Sequence, residues 1–185
     1  MKKLFILVAL LVFVVSGCAN NNANIISASE LTERENAILS TTSDKSFVFD
    51  FQVDSEYTEI KVWVEKYESG KLIDKEVSSL TTDVKDGQGS IIFTNAYPID
   101  GEKNQTFSIG ISNNGDVSSV NNFELISKAA VNMASTWSNL EGKVNLTEGE
   151  QLLASIGYSS DEIMSSLASD IYEDFEGQLN ELKKL

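Results

Sequence analysis

Trp63 and Tyr67 are the two side chains whose spacing most invites a ligand. Lying four apart, they share one face of an extended strand. Two rings on one face stack against a sugar or dock a partner. The same pair would serve as packing beneath a covering helix, or Trp63 as a core residue, and the sequence favours that use. Carboxylates are the other resource. The chain has 28 Asp and Glu against 14 Lys and Arg, a net charge of −14. A glycosidase needs only two carboxyl groups, about 5 Å or about 6.5–9.5 Å apart. Asp54 with Glu56 and Asp83 with Asp86 are candidate pairs, although solvated surface carboxylates are the ordinary reading of each. Asp170, Glu173, Asp174 and Glu176 would make a helical acid cluster, with the first three near one another at spacings of three and four, but the Asp-rich twelve-residue loop of a calcium site is missing.

Absences exclude more than presences admit. With no histidine in the chain, His-based triads, His general bases and His-ligated zinc are ruled out. No lysine follows a serine at the Ser-x-x-Lys spacing, and there is no G-x-S-x-G, P-loop or dinucleotide fingerprint. No catalytic residue, metal ligand or cofactor is therefore assigned. The acidic balance disfavours nucleic acid, which requires basic patches.

The elements that must position these residues are strands. Phe47, Phe49, Phe51 and Val53 alternate with polar neighbours, the period of a half-buried strand. Ile60, Val62 and Val64 form a second apolar row. That row leaves Lys61, Trp63, Glu65 and Tyr67 on the opposite face. Glu68-Ser69-Gly70-Lys71 reads as a hairpin turn into Leu72–Val77, and Lys85–Gly89 as turn chemistry before Ile91–Phe93. Phe107, Ile109 and Ile111 alternate, and Asn113-Asn114-Gly115-Asp116 suits a tight hairpin. A weaker strand follows near Val117–Ile126. Glu30–Leu39 fits a short helix or the approach to a strand, and Ser127–Gly142 is ambiguous. Residues 151–158 form a possible strand. Ser159 and Glu162 stand at capping-box spacing, and Ile163, Leu167, Ile171, Phe175, Leu179 and Leu182 make a helical stripe over about 160–184.

The expected class is α+β. It is mainly an antiparallel β-sandwich, immunoglobulin-like or fibronectin type III-like, with strands over about 46–126 and a C-terminal amphipathic helix packed on a sheet. That helix is the natural cover for Trp63 and Tyr67.

The amino terminus addresses location. Lys2 and Lys3 precede an unbroken apolar run from Leu4 to Val15, and Val15-Ser16-Gly17-Cys18 closes it. Twelve apolar residues are the length of an export signal and short of the ~20 that span a bilayer. The segment resembles the signal peptide and lipobox of bacterial lipoproteins. That resemblance implies cleavage after Gly17 and a diacylglyceryl group on Cys18, the sole cysteine. It divides the chain into a signal (1–17), a flexible Asn-rich tether (18–29) and one globular domain (30–185). Without a second cysteine, no disulfide staples the domain. Loss of Lys2 and Lys3 with the signal lowers the 14 basic residues to 12 against 28 acidic ones, a net charge of −16. The expectation is a lipid-anchored protein on the outer face of the cell membrane, in a Gram-positive envelope, with a non-catalytic binding or accessory role. Its partners are the membrane, through Cys18, and an envelope protein or glycan. The alternatives are a carbohydrate-binding module using Trp63 and Tyr67, or a carboxylate-dependent enzyme acting on envelope glycans.

Overall fold

The computed structural model describes residues 24–96, 104–125, 133–146, 150–159 and 166–173. The signal segment, with Val15, Ser16, Gly17 and Cys18, lies outside them, as do both ends of the expected C-terminal helix. The phenylalanine row of β2 (Lys45–Gln52) organises what is described. Phe47, Phe49 and Phe51 are buried while Asp50 and Gln52 between and beyond them are exposed. An apolar face of that length needs partners of the same period. They come from β5 (Gln88–Ala96) and β6 (Asn104–Asn113). Phe49 lies opposite Ile91, and Ile91 opposite Ile111. Phe47 lies opposite Phe93, with ring centroids 6.0 Å apart. Gly89 stands opposite Phe51, and a Cβ there would come within 2.6 Å of the Phe51 ring.

β7 (Asp116–Leu125), β1 (Ile25–Ala28) and β9 (Lys143–Asn145) complete a six-stranded antiparallel sheet of order β7-β6-β5-β2-β1-β9. Its apolar face is covered by two two-stranded sheets. The first pairs β3 (Glu59–Glu68) with β4 (Lys71–Asp83), and sets Ile60, Val62 and Leu80 against the core. The second pairs β8 (Ala134–Asn139) with β10 (Ala154–Ser159), and contributes Ala154 and Ile156. β4 also lies along β7, where the Asn122 side-chain amide donates to the Val77 carbonyl. Two turns have both central residues at positive φ, Ser69 (49°) with Gly70 (69°) and Asn114 (53°) with Gly115 (79°). That backbone matches the twist of a two-residue hairpin.

Two expectations are corrected and one open alternative is resolved. The described body begins earlier than residue 30: Ile25–Ala28, assigned to the tether, is a strand between β2 and β9, with Ile26 in the core. Of the two readings of Glu30–Leu39, the helix holds, as α1 (Glu33–Thr42), closed by a capping box between Thr32 and Glu35 and burying no residue. The second correction overturns the fold class. The C-terminal stripe is not one helix, because residues 166–168 are non-helical and, among the described residues, they are followed by a 3-10 turn, Ser169–Tyr172. Ile171 and Tyr172 of that turn are buried in the core. The Tyr172 hydroxyl lies 2.7 Å from Ser138 Oγ and 2.8 Å from Ser155 Oγ, and Gln151 Nε2 donates to the Tyr172 carbonyl at 2.6 Å. Tertiary burial outweighs the weak intrinsic preference of the segment for helix. Among the described residues the fold is all-β and sandwich-like rather than α+β. Its six-stranded sheet faced by two two-stranded sheets also replaces the strand division of an immunoglobulin-like domain.

Candidate ligand groove

The alternation that buries Ile60 and Val62 turns Lys61, Trp63 and Glu65 away from the core. Register shifts between Val64 and Lys66 and between Lys66 and Tyr67 mark a β-bulge. A bulge bends and twists its strand, and Tyr67 stays on the Trp63 side through it. The result is a groove of about 440 Å³ running along the outer side of the hairpin. β3 supplies Lys61, Trp63, Glu65 and Tyr67. Leu72, Lys75 and Glu76 of β4 form the facing wall, and Glu150 closes the rim.

The centre of the groove is a gripped carboxylate. Trp63 Nε1–H donates to Glu65 Oε1 at 3.3 Å, and the Tyr67 hydroxyl donates to Glu65 Oε2 at 2.7 Å. Glu65 thus fixes the tilt of both aromatic rings, and each of its oxygens keeps a lone pair for a further donor. Lys61 Nζ stands 5.8 Å from the Trp63 ring centroid and ion-pairs with Glu76.

Burial, then the hydrogen bond to Glu65, then the charges of Glu65 and Glu150 push Tyr67 up from 10.0 to about 12. Tyr67 is thus a neutral donor throughout the physiological range. Because its folded value exceeds the unfolded one, its contribution to stability is complete below pH ~10 and disappears as pH rises through about 12. Spectroscopic titration at 295 nm is expected to show Tyr67 ionising near pH 12, a step absent from Tyr67→Phe, and Glu65→Gln is expected to return it toward 10. A Tyr67 step that stays put in that variant would remove Glu65 as a cause.

The sequence placed Trp63 and Tyr67 on one face, and the structure joins them through Glu65. It does not bring Asp54 and Glu56 together as a catalytic pair. The Asp54 carboxylate accepts from Asn24 Nδ2 at 2.7 Å and from the Glu56 backbone N–H at 2.9 Å, so it serves a turn. Asp170 lies in the 3-10 turn, and its carbonyl accepts from the Glu173 N–H. Among the described residues no three His, Cys, Asp or Glu side chains form a group able to hold a metal ion. No described helix is long and apolar enough to cross a membrane.

Sequence reasoning missed the β4 wall and Glu150. A signal for Leu72 existed, since the two-residue turn at Ser69-Gly70 places Leu72 opposite Tyr67. Nothing local marks Glu150. A shallower hollow of about 620 Å³ lies on the outer face of the six-stranded sheet. Its floor carries Ser27, Asp50 and Ser90, with Ser90 Oγ donating to Asp50 at 2.7 Å. Its outward-facing side chains include no aromatic ring to grip a ligand.

Together these features define a class: an antiparallel all-β protein whose main sheet is faced by two two-stranded sheets, the β3–β4 hairpin bearing an aromatic–carboxylate groove. The chain belongs to the YgaN domain family, whose profile matches residues 25–184 and so begins at β1. No curated protein and no solved structure matches it.

Proposed function

We propose that this is a lipid-anchored protein of the outer membrane face that holds a saccharide of the cell envelope in the β3–β4 groove, without turning it over. The observation that carries the reading is the Trp63–Glu65–Tyr67 arrangement. A tryptophan face matches the C–H side of a pyranose ring, and the adjoining carboxylate accepts its hydroxyls. The groove volume lies within the ~300–1,000 Å³ range of ligand sites. The rings were expected beneath a C-terminal helix, but Ile171 and Tyr172 of that segment pack in the core instead.

The location rests on the basic start, the apolar run and Val15-Ser16-Gly17-Cys18. Two acyl chains on Cys18, at ~0.8 kcal/mol per buried methylene, would hold the protein stably where one would be marginal.

Trp63 and Trp137 are the two tryptophans of the chain. In full-length Trp137→Phe protein, fluorescence therefore reports the groove. Titration with envelope oligosaccharides is expected to shift and quench the signal to saturation. Trp63→Ala is expected to weaken binding by about tenfold or more, read by calorimetry, as loss of a stacking aromatic does. No response to any envelope glycan would overturn the reading. Release of products from those glycans would favour a carboxylate-dependent enzyme, since three carboxylates border the groove.

A further inference from the structure

We infer that the groove selects saccharides carrying a free ammonium group, amino sugars rather than neutral or acidic ones. The inference rests on the saccharide reading above and concerns what the groove's charges add to stacking. Two lysines and three glutamates line it. Lys61 and Glu76 pair with each other. That leaves Lys75 alone to balance Glu65 and Glu150. Glu65 is held in place by two neutral donors, Trp63 Nε1–H and the Tyr67 hydroxyl, neither of which cancels its charge. Both Glu65 and Glu150 act on Tyr67 as negative charges, so the field is negative at that end of the groove.

The ring itself points the same way. An aromatic face attracts a cation within about 6 Å of its centroid, and Lys61, at 5.8 Å from Trp63, already fills that place, so the ligand's ammonium belongs at the Glu65–Glu150 end and Trp63 is left to stack the sugar ring. A pyranose ring lying along Trp63 with its ammonium toward Glu65 and Glu150 would gain stacking and ionic contact at once. An N-acetylated sugar loses the charge, and a uronic acid meets two carboxylates. The chain as a whole, at −14, draws a cationic ligand toward it and repels an anionic one.

The test compares three tetrasaccharides by calorimetry on the full-length protein in detergent: glucosamine with free amines, its N-acetylated counterpart, and a galacturonic acid oligomer. The glucosamine oligomer is expected to bind about tenfold more tightly than the N-acetylated one at low salt, a gap that narrows as added salt screens the charges. Glu150→Gln is expected to narrow the gap as well, and an unchanged gap in that variant would remove Glu150 from the argument. Equal affinity for the free and acetylated oligomers, or preference for the acidic one, would overturn the inference and leave the saccharide reading standing. Failure of all three to bind would take both down.

Discussion

Tyr172→Ala is expected to destabilise the protein by about 3–5 kcal/mol, the range for truncating a large buried aromatic. Tyr172 is 1 % exposed and sits with Ile171 in the same cluster as Phe47, Phe49 and Phe51. Alanine there opens a cavity in that cluster beside the β8–β10 pair, whose Ser138 and Ser155 the Tyr172 hydroxyl meets. Tyr172→Phe separates the ring from its hydroxyl. The Ser138 and Ser155 hydroxyls are 3.1 Å apart and retain each other as partners, so the expected cost is near 1 kcal/mol. Urea denaturation would read both variants as a lower midpoint, with the slope unchanged if unfolding stays two-state. A removable C-terminal helix on the surface would predict the opposite of what the core position of Tyr172 requires, which is that a chain ending at Leu167 fails to fold cooperatively. Wild-type stability in that truncation would show that the 3-10 turn contributes nothing to the core.

The same segment shows where sequence periodicity stops informing. Steps of four from Ile163 to Leu179 are a helical pattern, yet the fold uses Ile171 and its neighbour Tyr172 as adjacent plugs. Periodicity records which residues seek burial; it does not record which surface receives them. The β-strands were legible because their burial and their period agree residue by residue. Phe47, Phe49 and Phe51 face in, and Ser69-Gly70 and Asn114-Gly115 set the turns. β1 was not legible, because four residues in an Asn-rich stretch carry too short a pattern. It exists through pairing with β2 and with β9, more than a hundred residues away in sequence. α1 carried its signal in the Thr32–Glu35 spacing rather than in an apolar stripe, since the helix buries nothing. For the groove, alternation along β3 gave one wall. The bulge, the facing residues of β4 and the approach of Glu150 are products of three-dimensional packing.

Cys18→Ser is expected to abolish acylation and, because processing depends on the acylated cysteine, to leave the signal uncleaved, so that the longer precursor replaces the mature form almost completely. The hold on the mature form follows from the acyl chains, each with over ten methylenes at ~0.8 kcal/mol apiece, since no described helix is long and apolar enough to cross a membrane. Geometry adds a second expectation. From Cys18 to Ile25 is seven residues, so the tether spans at most about 25 Å. Asn24 is fastened to the body through Asp54, at 2.7 Å, and through the Leu146 N–H, at 2.6 Å. The Tyr57 N–H reaches the Asp54 carbonyl, and β3 starts two residues later. β3 therefore begins near the anchored pole and carries Trp63 and Tyr67 away from it, with about 3.3 Å gained per residue. The groove would stand roughly 13–26 Å beyond that pole, open to the envelope rather than pressed against lipid. Oligosaccharide binding is accordingly expected to be equal in vesicle-bound wild type and in soluble protein beginning at Ala19. A Cys18→Ser variant that is still processed and still sediments with membranes would refute lipid anchoring. A vesicle-bound form that no longer binds would place the groove against the bilayer.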